Sequence, residues 1–511
     1  MATKKEIKID RFSGGISDDV RQNTTSGYSL TQHFDTLTSP YRLIPFRDSE
    51  ADNTTQVGIM NFAWTGTTLY GLGLKTGPLR AQIYQKTGAT GTWSEPSTST
   101  SGTISFFIGN TFIIYRGYTY QIIATSSLDR WQIGGTYTDA YQVVPFTAFT
   151  DGSGCTTQAI IHGKNDTMYF GYYSSSNGSR IFSLNNTTAT VNAFQLPINM
   201  IVTAIAEYGS YLAIACRPAT TSSASVTGPG SSKVFMWDLV SSTATDVIDF
   251  GYGELWALAN VGGYLVGIMN GASSSDITFT KKRVYIKTYA GGAVQLFKTL
   301  EDDALEIAGL VGYKPFIANQ NGISFGLTST GSKVPTGIYT FSRPYETYPF
   351  SVTCERLIHN STAITSFVGM IRIGDVMFTA YNHVAGTSSN VGRTNDTASY
   401  TATSVYESQR FGTENPRIKK NVIGVTVNHE YLPSGASVVL KYKKDAETSW
   451  SSAIFTSDVD NALYYSAKNI TSSGAIIPEF REIQFRIEST GGAVITGFSC
   501  KYEENPDDIY E

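Results

Sequence analysis

The chain has 511 residues, more than a single hydrophobic core usually serves, so two or more domains or a repeat architecture are expected. Charged residues make up only 16% and the formal net charge is −4, with no basic run longer than a lysine pair, which excludes an electrostatic grip on nucleic acid. No apolar stretch approaches the roughly 18 residues that a membrane helix needs.

Aromatics at 13%, 48 glycines and abundant Thr, Val and Ile in short runs between turns predict an all-β protein. The first 55 residues fit neither a helix nor a signal sequence. In FSGGISDDVR, Gly14 and Gly15 would each cost about 1 kcal/mol inside a helix. The basic residues ahead of them precede no apolar run of signal-peptide length. We expect an extended N-terminal arm over 1–55, with Phe12, Phe34 and Phe46 as anchors and Gly14 and Gly15 making its bend. Leu37, Tyr41, Leu43 and Ile44 add apolar handholds, more than a disordered tail carries. Such an arm is expected to lie along protein surface, that of its own propeller or in part that of a neighbouring chain, and to be mobile until assembly.

From 56 to about 411 the chain repeats. QIYQKT, YTYQII, RIFSLN, KVFMWD, RVYIKT, GIYTFS and SVYESQ place an aromatic at 84, 120, 182, 235, 285, 339 and 406, with a mean spacing near 54. Ahead of most lies a turn and a strand of small residues, as in YGSYLAIAC, VGGYLVGIM and IGDVMFTAY. A period of that length predicts a β-propeller, seven blades favoured and six possible, with the small-residue strand innermost. RPATTSSASVTGPGSSK and VAGTSSNVGRTNDTASYTATS read as exposed loops.

From 412 to 503 clean period-two strands such as FREIQFRIE and AVITGFSCKYE predict a C-terminal β-sandwich, followed by an acidic tail at 504–511. Cys155, Cys216, Cys354 and Cys500 lie far apart and read as small buried side chains, as suits a reducing cytoplasm.

Catalytic chemistry is not legible. TGATGTWSEP has the Gly-Thr-Trp of a sialidase Asp-box without its Asp, and Arg42, Arg80, Arg180, Arg283 and Arg343 are scattered. LEDDALE and the SDD of the arm read as exposed turns. None of His33, His162, His359, His383 and His429 sits at metal-ligand spacing. The expectation is a chain with no catalytic residue, no cofactor and no metal, and not an enzyme.

FSGGISDD, QHFDTLTSPYRLIPFRDSEAD, YKKDAETSWSSA and FREIQFRIESTGGAVITGFSCKYE resemble the opening and closing segments of virion structural proteins of tailed bacteriophages. The resemblance covers about 140 residues and implies a tail component of the nozzle or hub kind. It further implies a homo-oligomeric, six-fold ring, other tail proteins as partners, passage of genomic DNA without sequence recognition, and a place in the virion after assembly in the host cytoplasm. An alternative reading is a receptor- or glycan-binding propeller, in which Tyr172, Tyr173 or Tyr400 would stack on sugar rings.

Overall fold

A computed structural model describes residues 3–17, 27–52, 58–75, 80–96, 111–122, 127–145, 157–174, 176–218, 230–271, 283–302, 305, 316–319, 321–331, 333–356, 364–383, 389–394, 398–400, 402–412, 417–457, 465–469 and 476–505. Among these residues every regular element is a strand. The chain divides into two compact units. One comprises Met1–Ser49, Gly337–Ile358 and Asn395–Glu511; the other comprises Glu50–Thr336 and His359–Thr394.

The second unit is the propeller. Its blades 2 to 5 are four-stranded antiparallel sheets over Phe112–Val143, Ile160–Gln195, Met200–Tyr252 and Glu254–Glu301. Blade 1 has the strands Gly58–Trp64, Thr68–Lys75 and Arg80–Thr87, and a bridge from Gln85 to Ser94. Blade 6 contributes Phe316–Asn319 and Gly322–Leu327 to this unit. Blade 7 has Ile364–Ile373, Val376–His383 and Ser389–Thr394, and its fourth strand is Ser49–Ala51, from ahead of blade 1 in sequence. The ring therefore closes on seven sheets by a strand borrowed from the other end of the unit.

Neighbouring blades share apolar layers. Tyr115, Tyr120 and Leu128 of blade 2 pack on Met168, Phe170 and Phe182 of blade 3. Blades 4 and 5 meet through Ala204, Ala213, Ala215, Leu255 and Leu258. Blades 7 and 1 meet through Phe378, Ala380, Phe62 and Tyr84. A hydroxyl staple recurs beneath these layers. Ser179, second residue of the third strand of blade 3, donates to the Met200 carbonyl and accepts from Val202 N–H, both at 2.8 Å. Ser232 holds the same station in blade 4, donating to the Gly253 carbonyl at 2.6 Å and accepting from Leu255 N–H at 3.2 Å. Each staple satisfies two buried backbone groups where the next blade begins.

The small-residue strands lie second from the axis, which corrects the expectation that they are innermost. The innermost strands are those just before them, and the small residues receive their side chains. A Cβ on Gly171 of blade 3 would come within 2.6 Å of Val202 on the innermost strand of blade 4. One on Gly326 would come within 2.4 Å of Phe367 on the innermost strand of blade 7. Gly171→Ala is expected to destabilise the propeller unit by about 1–3 kcal/mol through overpacking, read by denaturant unfolding.

The first unit is the β-sandwich. One sheet holds Thr3–Ile9, Ile495–Asn505, Lys419–His429, Tyr465–Asn469 and Ile477–Phe480. The other runs through Gly337–Ser342, Ser351–Arg356, Tyr28–Gln32, Ser404–Ser408, Ile483–Thr490, Ser437–Lys444 and Phe455–Ser457. Val422, Val425, Phe498 and Cys500 of the first sheet close on Val438, Leu440, Phe485 and Ile487 of the second. The Phe485 and Phe498 rings meet at 4.7 Å across the layer.

One repeat assignment and the domain boundaries thereby change. SVYESQ belongs to the sandwich unit, and GIYTFS falls on the same side of the division. SVYESQ reads as a blade strand because a strand buried on both faces shows the same run of aromatic and β-branched residues in any sheet. Boundaries at 55/56 and 411/412 treat the chain as three serial pieces, whereas it passes between the two units at 49/50, 336/337, 358/359 and 394/395.

Candidate functional site

The innermost strands of blades 1, 3, 4, 5, 6 and 7 enclose an axial space of about 600 Å³. Ile161, Ile317 and Ile371 give it apolar walls, and Glu207, Asn260 and Asn319 place polar groups near the ends of their strands. Glu207 is the sole acid among the described lining residues. Its Oε1 accepts from Gly163 N–H at 2.5 Å and lies 3.6 Å from His162 Nδ1. The Asn319 side chain is turned into its own hairpin, accepting from the N–H groups of Asn321 and Gly322 at 2.8 and 2.9 Å. A space of this size suits a small ligand and not a DNA duplex.

The hairpins that join first and second strands link blade to blade. Arg116 pairs with Asp166 at 2.5 Å, and the Tyr115 hydroxyl donates to the Asp166 carbonyl at 2.7 Å. Tyr208 donates to the Gly263 carbonyl at 3.2 Å. With the Glu207–Gly163 bond, these contacts tie blades 2 to 5 in series.

Sequence reading missed the charged latch where the ring closes. Asp52 follows the borrowed strand, and its N–H donates to the Val391 carbonyl of blade 7 at 2.8 Å. Its carboxylate takes Lys86 Nζ of blade 1 at 2.7 and 2.9 Å and Trp93 Nε1 at 2.8 Å. Arg393 of blade 7 lies 3.3 Å from the same carboxylate and donates to Glu50 at 2.6 Å. The Lys86 and Asp52 side chains are only 0% and 4% exposed. Burial pushes the Asp52 carboxyl above, and the Lys86 amine below, their ordinary ranges, and their mutual hydrogen bonds oppose both shifts. Trp93, the tryptophan of the incomplete Asp-box, caps the pair, with Lys86 Nζ 5.6 Å from its ring centroid. No single segment announces this cluster, because its members come from four places in the chain.

The anchor and bend residues of the arm, Phe12, Gly14, Gly15, Phe34 and Phe46, all lie in the sandwich unit, whereas its last residues from Glu50 belong to the propeller. Thr3–Ile9 pairs antiparallel with Ile495–Asn505, from Thr3↔Glu504 to Ile9↔Phe498. Phe12 is fully buried, its ring edge-on to Tyr406 at 5.4 Å and its N–H donating to the Pro40 carbonyl at 2.7 Å. Phe34 is fully buried in the same core, whereas Phe46 is half-buried against the His33 ring. Gly15 adopts φ +75°, and a Cβ there would meet Ser351 Cβ at 2.6 Å. Gly14 is exposed, so the bend rests on Gly15. These contacts give the arm a surface on its own chain, within the sandwich unit. Asp18 and Asp19 lie outside the described residues, as do Cys155, His359, most of the polar loop at 217–233 and most of the acidic tail. The stretch at 384–404, expected as an exposed loop, instead supplies the blade 7 strand Ser389–Thr394, with Val391 buried.

The remaining candidates scatter. Tyr172 is fully buried, with its hydroxyl donating to the Val191 carbonyl at 2.8 Å, and so offers no face to a sugar. Tyr400 is half-buried beneath the Arg47 guanidinium at 4.6 Å. Arg283 pairs with Glu301 at 3.1 Å, Arg42 with Glu430 at 2.8 Å, and Arg343 donates to the Glu346 carbonyl at 2.9 Å. Asp302 of LEDDALE accepts the N–H groups of Lys333 and Val334, each at 2.7 Å, and so fastens a loop. Cys216, Cys354 and Cys500 are free and buried; burial pushes their thiols up, that of Cys354 to about 12. Among the described residues no group of three or more His, Cys, Asp or Glu is placed to hold a metal.

No protein-family model matches the sequence, and no curated protein is similar to it. The chain resembles solved β-propellers. The GH74 xyloglucanase of Xanthomonas campestris aligns over 79% of this chain and 65% of its own at 11% identity, with a TM-score of 0.39. The GH74 enzyme of Niastella koreensis aligns over 88% and 73% at 14% identity, with a TM-score of 0.41. BamB of Moraxella catarrhalis aligns over 77% and 100% at 10% identity, with a TM-score of 0.36. The chain thus spans just under two thirds of the first of these enzymes. Because glycoside hydrolases stand among the similar structures, the expectation drawn from the motif search that the chain is not an enzyme does not stand.

Proposed function

We propose that this chain is a structural component of a bacteriophage tail, a ring or hub subunit. One observation carries the reading. The N-terminal and C-terminal segments that resemble phage virion proteins lie far apart in the chain, at 12–52 and 442–503, yet they fall largely in one folded unit. Ile7 pairs with Cys500, Leu43 forms a bridge with Ile495, and Phe12, Phe34, Phe485 and Phe498 share a core. The two resemblances therefore count as a single module, into which the propeller is inserted. Such a module suits ring assembly, because one folded unit gathers both resembling segments. Any DNA path in such a particle would run between subunits, since the axial space of the propeller is too small for a duplex.

The reading is tested on density-banded virions from a culture producing the phage that encodes this chain. Quantitative mass spectrometry is expected to find the chain in a fixed multiple per particle. Its presence only in the unbanded lysate would contradict the proposal.

A further inference from the structure

We propose that Arg130 and the tyrosines around it form a binding site for carboxylate-bearing saccharides on the outer part of blade 2. Arg130 lies on the strand Ser127–Gln132, opposite Tyr120 on one side and Thr138 on the other. Its guanidinium carbon is 3.7 Å from the centroid of Tyr141 and 4.6 Å from that of Tyr118, so the planar group is held between two rings. The Tyr120 hydroxyl also faces it. Tyr120 in turn packs on Tyr118 at 6.2 Å and on Tyr141 at 6.0 Å, which fixes the walls.

Among the described residues no carboxylate answers this charge. The adjacent Asp129 is turned away and satisfied by its own surroundings, accepting from Ala140 N–H at 2.7 Å, Ser127 at 3.1 Å and Tyr137 at 3.2 Å. Arg130 Nε is buried without a hydrogen-bond partner, and no ion pair forms at this residue among the described residues. Other arginines of the same unit, Arg116, Arg217, Arg283 and Arg393, each face a carboxylate.

An unanswered guanidinium, half-buried and prevented from swinging, retains its attraction for a planar oxyanion. Its fork matches a carboxylate through two parallel hydrogen bonds. Tyr118 and Tyr141 are half-buried, so each combines an apolar ring with a hydroxyl at the surface. That pairing fits a sugar ring, which has an apolar C–H face and a rim of hydroxyls. A uronic or sialic acid brings both the carboxylate and the ring. The site lies away from the axial space and does not depend on the tail reading.

Isothermal titration of the full chain with oligogalacturonate and with sialyllactose tests the proposal against a neutral galactose oligomer, polyglutamate and inorganic phosphate. At least one acidic saccharide is expected to bind, and the neutral oligomer is not. Arg130→Gln is expected to weaken binding at least tenfold, Arg130→Lys nearly as much because it keeps the charge without the fork, and Tyr141→Leu severalfold. Arg283→Gln, which removes an exposed arginine from blade 5, is expected to leave binding unchanged. The wild-type comparison of acidic with neutral sugar stands even if a variant misfolds, and circular dichroism reports that directly. Absence of binding to both acidic saccharides, equal binding of polyglutamate or phosphate, or full affinity in a folded Arg130→Gln would each overturn the proposal.

Discussion

Asp52→Ala is expected to destabilise the propeller unit by about 3–5 kcal/mol, because it strands the buried Lys86 ammonium without its counter-ion. The same substitution removes the acceptor of Trp93 Nε1 and one partner of Arg393. These losses fall where the ring closes. Blade 7 takes its outer strand from residues 49–51, so whatever loosens Asp52 loosens the seam between the last blade and the first. Replacing both partners should be milder than replacing one. Asp52→Ala with Lys86→Met removes the charges together, and buried pairs exchanged for apolar groups are often neutral in stability. Denaturant unfolding of the two single variants and the double variant measures this coupling. Additive losses would show that Lys86 and Asp52 do not act as a pair.

Phe12→Ala is expected to cost the sandwich unit about 3–5 kcal/mol, the usual range for deleting a fully buried phenylalanine. The ring fills space beside Tyr406, which itself packs edge-on to Tyr28 at 5.8 Å. A cavity there touches three chain segments, near residues 12, 28 and 406. Removing residues 1–46 outright takes Tyr28, Phe34 and Leu43 from the same core as well, together with an edge strand of one sheet and the inner strand Tyr28–Gln32 of the other. That deletion should leave the sandwich unit open to protease. A change below about 0.5 kcal/mol for Phe12→Ala would place the segment on the surface, as a surface substitution behaves.

Much of the propeller was legible because its third strands repeat a chemical problem. Phe182 and Phe235 each follow a β-branched residue on a strand packed on both faces, and a serine three positions earlier staples the next blade. Tyr285 repeats the pattern at half-buried depth. The same logic misled at Tyr406, whose strand meets the identical environment in the sandwich. Local pattern reports burial and not which sheet provides it. The position of the small-residue strands was misjudged for a related reason. Gly171 and Gly326 accommodate a neighbouring blade's side chain, not the axis.

The latch and the arginine site were illegible for a different reason. Asp52, Lys86, Trp93 and Arg393 are ordinary residues until the ring brings residue 52 beside residue 391. Arg130 is set apart by the two tyrosine rings around a guanidinium that meets no acid among the described residues, which no spacing rule encodes. The arm was half read. Its anchors were correctly seen as apolar residues needing a surface, and that surface proved to be the far end of the same chain.

Hydrogen exchange on the isolated, unassembled chain tests most directly whether both chain ends form one folded unit. The N–H groups of Phe12, Ile16, Tyr28 and Leu43 donate to Pro40, Val352, Gly15 and Ile495, and the strand Thr3–Ile9 lies on Ile495–Asn505. These amides should exchange as slowly as those of Val425 and Phe498 in the centre of the sandwich. Exchange of residues 5–46 at the rate of a free chain, beside a protected 419–505, would contradict the account.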